Sequence, residues 1–201
     1  MIILSDNAFR GRSDRAGNES SLSAFQRILL GSDGTMTNLL EGILGEDLCV
    51  NKIFEEVNRA SFDIPELELC SGQRLWRRTV TLQGKASGIN CLYADSLIAL
   101  DNLDEKFSET LLNTEAPIGK IWDLFRVETY KSLMEWGEDI AGDSARYFDI
   151  SEDETLLYRT YRVFSQGNPV MRITEKFPSN WFVDSEFSPR MISGDGLSMV
   201  N

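Results

Sequence analysis

Residues 155–178 read TLLYRTYRVFSQGNPVMRITEKFP. Two runs rich in β-branched, aromatic and aliphatic residues flank SQGNP, a cluster of turn formers, so the segment is expected to form a β-hairpin. Successive side chains of a strand point to opposite faces. In the first run Leu157, Arg159, Tyr161 and Val163 share a face. In the second, Met171, Ile173, Glu175 and Phe177 face one way, and Val170, Arg172, Thr174 and Lys176 the other. Arg159 and Glu175 are therefore charges set in otherwise apolar rows.

The same period continues upstream. RLWRRTVTLQG (74–84), a GKASG turn and INCLYADSLIAL (89–100) read as two further strands of a hairpin. Trp76, Arg78, Val80 and Leu82 share one face, and Arg77, Thr79 and Thr81 the other. RVETYKSLMEWGEDI (126–140) alternates as a strand, with Glu128 on the side of Tyr130, Met134 and Trp136. Burying an unpaired charge is costly, so charges in apolar rows pair, neutralise or hold a ligand. Two readings stay open. Arg78, Arg159 and Glu175 form structural ion pairs or lie on a half-covered edge strand. Alternatively they line a pocket for an anionic ligand, with Glu175 as the acid/base group.

Before the strands come helices. SSLSAFQRILL (20–30) has an apolar stripe of Leu22, Phe25, Ile28 and Leu29. GSDGTMTNLLEGILGED (31–47) restarts with Thr35 or Thr37 as cap, carries Met36, Leu39, Leu40, Ile43 and Leu44, and ends at Gly45. LCVNKIFEEVN (48–58) is extended, and PELELCSGQ (65–73) is a polar connection. DNLDEKFSETLLN (101–113) is a short helix capped by Asp101 or Asn102, and Pro117 starts another in APIGKIWDLF (116–125). Helices early, strands late and hairpin connections predict a single α+β domain with a mostly antiparallel sheet. Its expected span is 21–180, after a flexible arm at 1–20 and before a tail at 181–201 in which Trp181 and Phe182 are candidates for packing.

Composition narrows the chemistry. The 201 residues include 20 Lys and Arg, 32 Asp and Glu and no histidine, for a net charge of −12. Without histidine there is no His base, His metal ligand or His pH switch. The acidity argues against nucleic acid and anionic membranes as partners. Cys49, Cys70 and Cys91 are an odd number without a CxxC, so no zinc site or disulfide framework is indicated. Each reads as a small buried hydrophobe, in keeping with a reducing compartment. No run approaches the ~18 apolar residues of a membrane span, and the opening MIILSDNAFRGR is not a signal peptide. A soluble protein of the cytoplasm, or of the plastid stroma in an alga, is expected. GSDGT (31–35) lacks the lysine of a P-loop and reads as a helix cap, although its amides could receive an anion. Asp95 reads as a strand-end turn residue, and Lys120 as an exposed helix charge rather than a pocket rim.

In order, DGTMTNLLEG (33–42), RRTVTL (77–82), LYADSLIAL (92–100), APIGKIW (116–122) and YRTYRVFSQGNPVMRITEKFP (158–178) resemble the chorismate pyruvate-lyase superfamily. The resemblance is to its archaeal, cyanobacterial and plastid branch and runs from about Ser21 to Pro178. It implies an antiparallel sheet of about six strands, with helices packed around it and a ligand inside. It implies removal of pyruvate from chorismate to leave 4-hydroxybenzoate, a precursor of prenylated quinones, with no metal or organic cofactor. The family arginine resembles Arg78, or Arg77 if the register slips by one. The glutamate of a T-E-x-F motif matches Glu175. Ligand-binding backbone amides look similar to those at Met36 and Ile118. A second arginine of the bacterial lyase corresponds to Asp95, and Arg159 is the candidate to compensate as a substrate-binding residue. On this resemblance Arg78 binds and polarises the dianionic substrate. Glu175 moves the proton, and Glu175→Gln is expected to cut turnover while leaving the fold intact. The same fold also serves as a ligand-sensing domain in bacterial transcription regulators, so a non-catalytic domain that binds an aromatic acid is the alternative.

Overall fold

In the computed structural model, which describes residues 22–114 and 116–183, six antiparallel strands form one sheet. They are β1 (Leu48–Arg59), β2 (Arg74–Gly84), β3 (Asn90–Ala99), β4 (Thr129–Ile140), β5 (Thr155–Ser165) and β6 (Asn168–Pro178). The order is β1-β2-β3-β6-β5-β4. Each half is a three-stranded meander, and the last strands of the two halves pair at the centre. Between β5 and β6 only Gln166 (φ 51°) and Gly167 (φ 83°) intervene, both left-handed, which is the two-residue turn that suits the twist of a hairpin.

Among the described residues five α-helices accompany the sheet: α1 (Ala24–Gly31), α2 (Met36–Leu44), α3 (Glu105–Leu112), α4 (Ile118–Phe125) and α5 (Ala145–Phe148). The main core lies on one face of the sheet and includes Leu29, Leu40, Trp76, Ile98, Met171, Phe177 and Trp181. Trp181 and Phe182 are each 1% exposed and follow β6 in a 3-10 turn. Phe25 of α1 stacks on Phe182 with ring centres 5.7 Å apart. None of these helices is long and apolar enough to cross a membrane. The N-terminal arm and everything after Val183 lie outside the described residues.

Several local expectations are corrected. The buried side of α1 is Gln26, Leu29 and Leu30, while Ile28 is 51% exposed. Leu22, Phe25 and Leu29 pack inward as expected, but Gln26 rather than Ile28 joins them, because its side chain completes a capping box with Ser23 and donates to the Ser179 carbonyl at 2.8 Å. The cap of α3 is Asp104, which accepts from Phe107 N. Asp101 is engaged elsewhere, by the backbone N–H and Nε of Arg74. The 65–73 connection buries Leu67 and Leu69 in a small second cluster with Ala60, Ile64, Leu75 and Ala99, on the sheet face opposite the main core. Cys91 is buried, and burial pushes its thiol up to about 12, whereas Cys70 is exposed. Asp95 is in mid-strand, not at a turn.

In β4 the simple alternation breaks. A register shift between Leu133 and Glu135 marks a bulge, and bulges invert the parity of the residues that follow. Tyr130 is 67% exposed and Trp136 only 3%, so these two do not share a face as the alternation predicted. Lys131 and Trp136 both turn toward the covered side, where they pair in register with Val163 and Arg159.

Candidate active site

Arg78, Arg159 and Glu175, singled out by strand parity, lie on the covered face of the sheet, whereas Glu128 is exposed and precedes β4. Arg78 (β2) and Glu175 (β6) line a cavity of about 200 Å³ together with Ser96 (β3), Tyr161 (β5) and Lys131 (β4). Its other wall is formed by Thr35, Met36 and Thr37 at the start of α2 and by Ile118, Gly119 and Trp122 of α4. A cavity of ~150 Å³ takes up benzene, so this volume suits one six-membered ring with substituents.

The two helices that reach the cavity begin there. Thr35 and Pro117 occupy their cap positions, and neither makes a side-chain cap bond. The amides of a first helical turn have no carbonyl partner one turn earlier, and the helix dipole places partial positive charge at that end. Two such ends on one small cavity favour an anionic group. GSDGT thus supplies the cap residue Thr35 of α2 and also contributes Asp33, Gly34 and Thr35 to the cavity wall.

Glu175 is 5% exposed, but its surroundings are not apolar. The Tyr161 hydroxyl donates to its Oε1 at 2.9 Å, and Arg159 Nε donates to its Oε2 at 2.7 Å. Arg159, 2% exposed, does not line the cavity. Its Nη1 donates to the carbonyls of Leu29 (2.6 Å), Leu30 (3.2 Å) and Ser32 (2.8 Å) at the end of α1. The expected substrate contact is therefore replaced by a tether: Arg159 stands behind Glu175 and satisfies the orphan carbonyls of a helix terminus, where a cation also suits the dipole. Burial, the largest single influence, would lower the Arg159 pKa, but the Glu175 charge, Tyr161 and the hydrogen bonding to them together outweigh it and hold the guanidinium above its ordinary value. Burial, and then the Glu175 charge, push the Tyr161 phenol well above its usual range, so it remains a neutral donor.

Register puts the two adjacent arginines on opposite faces. Arg78 is 2% exposed, lines the cavity and lies 5.4 Å from the Trp76 ring centre. Arg77 is on the other face, over the ring of Phe54. Asp95 also faces away from the cavity and accepts from Thr79 Oγ1 at 2.9 Å, while its neighbours Ala94 and Ser96 face inward. Lys120 pairs with Glu41 at 2.7 Å and is not part of the wall.

Lys131 escaped the sequence pattern because the bulge reverses parity beyond it. Half-buried, it donates from Nζ to the Gly34 carbonyl at 2.5 Å and lies 5.2 Å from the Tyr161 ring centre. Burial lowers its pKa, and the nearby charges of Glu175 and Asp33 partly oppose that shift.

Comparison with known proteins places this arrangement. The family model described as Chorismate pyruvate-lyase Rv2949c-like matches residues 29–182. The chain belongs to this chorismate pyruvate-lyase family. The Chorismate pyruvate-lyase of Mycobacterium leprae (strain TN) is 34% identical over 160 residues, covering 79% of this chain and 76% of that protein. The protein of the same name from Mycobacterium tuberculosis is 30% identical over 164 residues, 79% of this chain and 82% of the relative. Among solved structures, PhnF from Mycobacterium smegmatis superposes with a TM-score of 0.58 at 9% identity, covering 74% of this chain and 65% of that one. The C-terminal domain of the histidine utilization repressor from Pseudomonas syringae pv. tomato gives 0.52 at 13% identity, covering 74% and 98%. At such identities these two show the shared fold alone.

Within the family span, Gly119 carries a packing constraint. A Cβ there would overlap the Thr35 Cγ2 methyl across the cavity rim. Gly119→Ala is expected to force α4 away from the 31–35 loop, costing about 1–3 kcal/mol of stability and raising KM. Adding Thr35→Ser, which deletes that methyl, should restore most of both. Denaturant titration and kinetics of the single and double variants check this, and no recovery in the double variant would refute the contact.

Proposed function

We propose that the protein is a chorismate lyase, which converts chorismate to 4-hydroxybenzoate and pyruvate. The observation that carries this reading is the cavity itself. A ring-sized space has a buried arginine and two helix N-termini on its walls, and a carboxylate held in place by two donors. In this reading the Arg78 fork and the amides at Met36 and Ile118 bind substrate carboxylate and ring substituents. Two of the roughly four lone-pair directions of Glu175 are taken by Tyr161 and Arg159, which leaves the others for substrate.

The proposed step balances within the substrate. Glu175 takes the proton from the ring carbon that bears the hydroxyl. The electrons of that C–H bond become the third double bond of the ring as the ether C–O bond at the neighbouring carbon breaks. The departing enolpyruvate receives a proton and becomes pyruvate. Aromatisation supplies driving force, so positioning and electrostatics carry the catalysis.

Purified protein mixed with chorismate should release pyruvate and 4-hydroxybenzoate in equal amounts. The likeness in fold to PhnF and the repressor domain supports a second reading, a domain that binds an aromatic acid without turnover. Tight binding of 4-hydroxybenzoate with no pyruvate release would decide for it.

A further inference from the structure

Among the described residues, Arg78 and Lys131 are the cations that line the cavity, and they come from different parts of the sheet. Glu175 on β6 is two strands from each, with β3 on one side and β5 on the other between them. Along β6 the register sets Arg78 level with Ile173, two positions from Glu175, and Lys131 level with Met171, four positions away, and the side chains reverse that order. Arg78 lies over Trp76, four positions along β2 from Val80, and Val80 is the residue in register with Glu175 through Ala94. Lys131 leans the other way. Its ammonium lies 5.2 Å from the ring centre of Tyr161, whose hydroxyl donates to Glu175. Lys131 is thus the cavity cation on the Glu175 side.

The substrate has a matching asymmetry. The carbon that loses its proton is adjacent to the carbon that loses the enolpyruvyl group, whereas the ring carboxylate is across the ring. A substrate placed with its reacting C–H at Glu175 brings the enolpyruvyl carboxylate near Lys131 and sends the ring carboxylate toward Arg78. Resting on the lyase reading, we propose that Lys131 holds the carboxylate of the departing enolpyruvyl group. Its ammonium has three donors, and one is used on the Gly34 carbonyl. A compact charge on a flexible stem can follow that carboxylate as the C–O bond breaks, which a rigid fork does less well. The position also accounts for a cationic partner that Asp95, on the opposite face, and Arg159, engaged behind Glu175, do not provide.

Two non-reacting ligands test this. 4-Hydroxybenzoate has the ring carboxylate alone. 3-(1-Carboxyvinyloxy)benzoate has both carboxylates on a ring that is already aromatic. Lys131→Met should raise the Kd of the dianion ~30-fold and that of 4-hydroxybenzoate by less than about threefold. Lys131→Arg should recover a large part of the dianion affinity. Equal weakening of both ligands, or of neither, overturns the assignment. Wild-type protein that shows this Lys131-dependent preference but releases no pyruvate from chorismate overturns the lyase reading alone. Normal turnover without the preference overturns the Lys131 assignment alone.

Discussion

Glu175→Gln should lower kcat for pyruvate release by ~10³-fold, within the range for loss of a positioned base, and should also destabilise the protein. The second effect departs from the expectation, taken from the resemblance, that the fold stays intact, because the partner of Glu175 is itself buried. Arg159 Nε and the Tyr161 hydroxyl both donate to this carboxylate. A glutamine has one acceptor oxygen, so its amide N–H₂ must point at one of those donors. It also leaves the Arg159 charge uncompensated at 2% exposure. Breaking a buried pair on one side costs about 3–5 kcal/mol, and a glutamine that keeps one hydrogen bond should fall near the lower figure. Activity must therefore be measured at a temperature where denaturant titration shows the variant folded. Near-normal turnover in folded Glu175→Gln would remove this residue from the mechanism.

Arg159→Met should give the largest loss of stability, about 3–5 kcal/mol. It strips a charge from Glu175 and donors from the carbonyls of Leu29, Leu30 and Ser32. Buried carbonyls left without donors add their own desolvation cost. Amide hydrogen exchange should accelerate along α1. Because Arg159 acts through Glu175 and does not line the cavity, kcat should fall with little change in KM. Combining Arg159→Met with Glu175→Gln should cost at least 1 kcal/mol less than the sum of the single changes, as expected for residues in direct contact. Strict additivity, or a rise in KM with kcat intact, would argue against the positioning role.

Much of this was legible before any tertiary contact was known. The 155–178 hairpin, the 74–100 hairpin and the early helices each carry a local period that the structure follows. Parity put Arg78, Arg159 and Glu175 in apolar rows, and all three are buried on the covered face. Where the local pattern misled, a specific competitor won. At α1, Gln26 gains hydrogen bonds to Ser23 and Ser179 that compensate its burial. At α3, Asp101 is held by Arg74, which leaves Asp104 to cap. In β4 one bulge swapped the faces of Lys131 and Trp136 relative to each other, and no residue in 126–140 announces it.

The sequence by itself determined which residues of β2, β5 and β6 lie inside, since a strand of period two has only two faces and burial of a charge selects strongly between them. It also left open whether those inner charges pair with one another or line a pocket, and the structure answers that they do both. Arg159 pairs with Glu175 because β5 and β6 are joined by a two-residue turn that sets them in register. Arg78 is kept apart because β3 lies between β2 and β6. The pairing of β3 with β6 joins residues more than seventy positions apart, and the α1 carbonyls meet Arg159 across about 130. They follow from how the two meanders pair, which local periodicity does not encode.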